Sequence, residues 1–91
     1  MEEVRKIYDR TRIELKGLLN GLKTEMENLQ FVLDNDILSS NGDILSTEEM
    51  EDIQGELNIR KIELEYDIQF VKAQLAFIDS IWKRKLTHYK N

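Results

Sequence analysis

The nearest approach to a chemical motif in this chain is Asn41-Gly42-Asp43-Ile44-Leu45-Ser46-Thr47-Glu48-Glu49, which has the letters of half a calcium-binding loop. Such a loop needs oxygen ligands on alternate residues before an obligatory glycine and a bidentate glutamate after it. With Gly42 in the glycine position, the first ligand position falls on Ile37, which carries no side-chain oxygen. Asp34, Asp36 and Glu49 fit only with insertions on both sides of the glycine. A turn followed by a helix cap explains the same residues, so no metal ligand is expected here.

Catalysis finds little footing. The single histidine, His88, falls in the last turn of the second helical segment, where a solvated side chain is expected. There is no cysteine, hence no thiol nucleophile and no disulfide framework. No glycine-rich phosphate loop, paired-histidine zinc motif or nucleophile elbow occurs. Carboxylates are plentiful, but a pair tuned for acid–base work needs a cleft. No catalytic residue and no cofactor are expected, and the chain reads as a non-enzyme.

Charge is unevenly spread. Residues 1–23 and 72–91 together hold eleven Lys/Arg against five Asp/Glu, whereas residues 24–71 hold two against thirteen. The halves carry +6 and −11, giving the whole-chain charge of −5. A chain folded back on itself would have a basic open end and an acidic tip. Arg5, Arg10, Arg12, Lys83, Arg84 and Lys85 are the candidate contacts of the basic end, with Tyr8, Trp82 and Tyr89 among them. Basic groups interleaved with aromatics can grip phosphates and stack on bases. These aromatics lie on an apolar stripe, however, so core packing accounts for them better.

The elements that would position these residues are helices. No proline interrupts the chain, 41% of residues are hydrophobic and 34% charged, a mix that fits long helices and coiled coils. A first helix is expected over about residues 2–40. Its stripe includes Val4, Ile7, Tyr8, Leu15, Leu18, Leu22, Leu29 and Leu33 at three- and four-residue spacing. Ser39-Ser40-Asn41-Gly42-Asp43 breaks the pattern, and a turn is expected over about 41–46. Asn41-Gly42, flanked by Ile37-Leu38 and Ile44-Leu45, also suits a small β-hairpin at the tip. Ser46 with Glu49 then forms a capping box, and Leu45 with Met50 a hydrophobic staple. A second helix follows over about 47–88. Gly17 and Gly21 interrupt the first helix pattern and mark a close helix approach, a bend, or tolerated surface glycines.

The second helix carries two stripes. Met50, Ile53, Leu57, Leu64, Ile68, Val71, Leu75, Ile78, Trp82, Leu86 and Tyr89 share one face. Ile59, Ile62, Tyr66, Phe70, Phe77 and Ile81, with Ala73, lie roughly opposite. A helix apolar on two sides is normally buried on two sides. The fold expected is all-α: one domain over residues 1–91, built as two long antiparallel helices in a coiled-coil hairpin. Pairing of two hairpins through the second stripe would give a four-helix bundle. The expected function is a non-enzymatic protein–protein interaction module (adaptor, inhibitor, assembly factor or spacer). Ile59, Ile62, Tyr66, Phe70, Phe77 and Ile81 form its interface, toward a second copy or another protein. The alternative is a nucleic-acid-associated factor that uses the basic end. No apolar run reaches the roughly 18 residues of a membrane span, and the N-terminus lacks the pattern of a signal peptide, so a soluble cytoplasmic protein is expected.

Overall fold

A computed structural model of the chain describes residues 2–35 and 46–90, with side chains to Thr87. Helix α1 spans Glu2–Asp34 and helix α2 spans Thr47–Lys90. No strand occurs among the described residues. The two helices lie antiparallel, because residues near both termini meet: the rings of Tyr8 and Trp82 stack 4.9 Å apart. The result is the expected all-α helical hairpin. It is a rod with principal extents of 69 × 16 × 16 Å, somewhat longer than two helices of about forty residues would give. At about 1.5 Å per residue, the 44 residues of α2 account for nearly all of that length.

Local chemistry fixes the helix ends. At the start of α2 the Ser46 Oγ accepts the Glu49 N–H at 3.1 Å, and the Ser46 carbonyl accepts the Met50 N–H at 3.0 Å. That is the Ser46 half of the expected capping box, satisfying an amide that has no partner inside the helix. Glu48 and Glu49 add negative charge to the positive end of the helix. Helix α1 closes at Asp34, with a turn at Asn35, where the sequence pattern carries the helix on to about Ser40. Asn35 donates both its backbone N–H (3.1 Å) and its side-chain amide (2.8 Å) to the Phe31 carbonyl. Asparagine bonds readily to nearby backbone in this way, which favours helix ends over interiors. The remainder of the expected first helix, the Asn41-Gly42 turn, the alternative tip hairpin and Leu45 of the staple lie outside the described residues.

The core is a single seam. Leu29, Leu64 and Val71 are buried, Leu64 completely, and most other seam residues among those described are half-buried. Two stripe residues of α1 depart from expectation: Ile7 and Leu18 are 66% and 53% exposed. They sit three turns apart at the edge of the stripe, and one partner helix covers a narrower arc than the stripe spans. Gly17 and Gly21 face open space, with no atom within 4 Å of where a side chain would begin. Within this hairpin they are therefore surface glycines, and no second helix approaches them. Among the described residues no helix is long and apolar enough to cross a membrane.

Candidate interaction surface

Three features of the rod could do something: a polar cluster at the open end, an ion-pair fork at mid-seam, and the outer face of α2. The cluster forms because antiparallel folding brings Tyr8 and Arg12, one turn apart on α1, against Asp79 and Trp82 on α2. The Tyr8 hydroxyl donates to Asp79 Oδ1 at 2.5 Å, and Arg12 Nε lies 3.3 Å from the same oxygen. Arg12 Nε is shielded from solvent and makes this ion pair without an aligned hydrogen bond. The Tyr8 bond and the nearby Arg12 cation hold the Asp79 carboxyl below its ordinary range. The same bond, with desolvation, pushes the Tyr8 phenol up. A depressed carboxylate is a weaker base, and a raised phenol a poorer acid, at neutral pH. The cluster locks the open end of the seam.

At mid-seam, Arg60 grips Glu25 across the helices with two hydrogen bonds, Nε to Oε1 at 2.9 Å and Nη2 to Oε2 at 2.8 Å. Its Nη1 also reaches Glu63 at 3.1 Å. Such a fork is directional and fixes how one helix slides along the other. The bond from Arg60 lowers the Glu25 carboxyl, and both glutamates raise the guanidinium.

The outer face of α2 is different in kind. Ile59, Ile62, Tyr66, Phe70 and Phe77 are between 56% and 75% exposed. Five large apolar side chains on one helix face form a patch of the sort soluble monomers rarely show. Ile81, grouped with them by sequence, is half-buried instead. It lines a shallow groove of about 170 Å³ with Val4, Ile7, Tyr8 and Trp82, smaller than the usual small-molecule pocket of about 300–1,000 Å³. Nearer mid-seam a second depression runs between Thr11 and Leu15 on α1 and Phe70, Ala73 and Phe77 on α2. The outer stripe thus leans toward α1, and the exposed Ile7 and Leu18 lie at the edge of the α1 stripe.

The basic-end residues are brought to one end of the rod, but not as free cations alone. Arg5 pairs with Asp9 at 3.8 Å, Arg10 with Glu14 at 3.3 Å, and Arg12 with Asp79. Lys83, Arg84 and Lys85 are exposed. Sequence reasoning missed Ile13 and Phe31, 70% and 61% exposed on the far side of α1. They stand eighteen residues apart, five full turns, and that spacing was the available signal. Among the described residues no group of three or more histidine, cysteine or acidic side chains is placed to hold a metal ion. Comparison with known proteins finds no family model, no curated protein and no solved structure that matches this chain.

Proposed function

We propose that this hairpin is a non-enzymatic protein–protein interaction module that binds through the outer face of α2. The observation that carries this reading is the exposure of Ile59, Ile62, Tyr66, Phe70 and Phe77 on a helix whose opposite face already supplies the seam. An amphipathic helix face of this kind docks against another helix or into a groove, with anchors at three- and four-residue spacing. A second copy of the chain is the first expected partner, since a thin two-helix seam leaves a small scaffold short of buried apolar surface. Another protein is the next.

Sedimentation equilibrium tests this. The native chain is expected to self-associate at micromolar concentrations. Phe70→Glu with Phe77→Glu should yield a monomer that keeps its helical circular dichroism, because both side chains are mostly exposed in the hairpin. A native chain that stays monomeric at high micromolar concentration overturns self-association and leaves the face to a different protein.

The rival reading, a nucleic-acid-associated factor using Lys83, Arg84 and Lys85 with Arg5, Arg10 and Arg12, draws on the basic open end. It predicts binding that weakens steeply with salt, since each neutralised phosphate releases counterions. The acid partners already held by all three arginines count against it. An electrophoretic shift abolished by replacing Arg10, Arg12, Lys83 and Arg84 would reverse the preference.

A further inference from the structure

We propose that two copies of this hairpin pair through α2 in an antiparallel sense, about a two-fold axis at Phe70, so that the acidic half of one α2 lies along the basic half of the other. This rests on the self-association reading above and adds the geometry of the pair.

The first argument is the spacing of the outer stripe. An isologous interface requires that if residue i touches residue j, then j touches i. An antiparallel helix pair meets that condition only if its contact residues are arranged nearly symmetrically about the axis. The stripe is so arranged about Phe70. Ile62 and Phe77 stand eight and seven residues away, Tyr66 and Ala73 four and three, and the exposed Ile59 stands eleven away, opposite the half-buried Ile81 at the edge of the stripe. The pair therefore sets Phe70 against its own copy. It also places the large Tyr66 ring opposite the small Ala73, the kind of alternation that lets facing layers interdigitate.

The second argument is charge. Along α2, residues 48–67 hold eight carboxylates against two cations, whereas residues 71–90 hold five cations against one carboxylate. Antiparallel pairing about Phe70 lays −6 beside +4 twice over. Parallel pairing lays acidic beside acidic and basic beside basic, and like charges juxtaposed across an interface oppose association. Glu56 and Arg84 make the contrast local. Each stands fourteen residues from Phe70 and each is exposed, so the antiparallel pair brings Glu56 of one copy to Arg84 of the other.

The test has two arms, both on the full chain. In sedimentation equilibrium, Glu56→Arg and Arg84→Glu should each weaken dimerisation about two- to thirty-fold, the range for two exposed ion pairs lost at once across the two-fold axis. The double variant should return it to near the native value. In a parallel pair each altered residue would face its own copy, and neither the weakening nor the rescue would appear. The second arm uses the absence of native cysteine. Ile62→Cys and Phe77→Cys chains, both altered at exposed stripe positions, one carrying a mass tag, are mixed and treated with a short bismaleimide. Cross-links only between the two variants support the antiparallel pair. Cross-links within one variant, or a dimer indifferent to both charge changes, overturn it while leaving self-association standing. A native chain that remains monomeric overturns both.

Discussion

Leu64 and Tyr66 stand two residues apart on α2, yet Leu64 is fully buried and Tyr66 is 75% exposed. The difference is one of partner and not of composition. The seam face of α2 and its outer face both carry large apolar side chains at helical spacing, but α1 covers only one of them. Burial follows from what lies opposite. An apolar face that the chain leaves uncovered is a patch of the kind that soluble monomers seldom expose.

The sharpest way to break this comparison is to truncate one residue on each face. Leu64→Ala opens a cavity in the thinnest of cores and is expected to lower unfolding free energy by about 2–5 kcal/mol. Tyr66→Ala should change the stability of the monomer by less than about 0.5 kcal/mol, as for an ordinary surface site, while weakening self-association. Urea titrations at concentrations low enough for the midpoint to be independent of protein concentration will separate the two effects. Equal losses from both variants would mean that the outer face is part of the fold itself.

A smaller effect is expected at Ser46, which serves both faces by starting α2. Ser46→Ala removes the acceptor of the Glu49 amide and should cost about 0.5–2 kcal/mol. Ser46→Asp, which can accept the same bond, should restore most of the loss. If Ser46→Ala is silent in thermal melts, the first turn of α2 contributes nothing to the seam.

The two faces also show what could be read in the sequence. The seam was legible because its spacing repeats over many turns, and the start of α2 was legible because Ser46 and Glu49 form a known pair. The outer stripe was visible for the same reason. Ile7 and Leu18 were misplaced because periodicity gives direction around a helix but not the width of arc a neighbour will cover. Ile81 was misplaced for the complementary reason. It flanks the seam, and the groove between Tyr8, Trp82 and Ile7 takes it in. The Tyr8–Asp79–Arg12 cluster and the Glu25–Arg60 fork could not be found from either helix alone. Each depends on the slide of one helix along the other, which spacing within a helix does not encode.

The back of α1 offers a gain in place of a loss. A methyl group at Gly17 would meet nothing within 4 Å, and alanine restricts the unfolded chain that glycine leaves free. Gly17→Ala is expected to stabilise the hairpin by about 0.4–1 kcal/mol, measured by the same urea titration. Destabilisation instead would show that the added methyl group is not accommodated and that the back of α1 is not a free surface of the hairpin.

The smallest expected effect is that of pH, and it belongs to the seam alone. Asp79 is held below its ordinary value of 3.8 by the Tyr8 hydrogen bond and by Arg12, and Glu25 is held below 4.5 by Arg60. A carboxyl with a depressed folded pKa stabilises the fold above its unfolded value, and the contribution is lost as pH falls through the folded one. The Tyr8 phenol is raised above 10.0. Its contribution is complete below that value and is lost as pH rises through the folded pKa. The seam should therefore show a flat maximum between these limits, falling on both sides. The side chains involved are partly open to solvent, so salt should shrink the slopes. Asp79→Asn should lower the plateau. Its difference from the native curve should close as pH drops below the Asp79 value, whereas Tyr8→Phe should lose the alkaline limb. Changes on the outer face, such as Phe70→Ala, should leave the shape of the monomer's profile untouched. Denaturation midpoints across the pH range check this. A native curve parallel to that of Asp79→Asn through the acid limb would show that Asp79 does not couple to folding, and the polar lock at the open end would be only a contact.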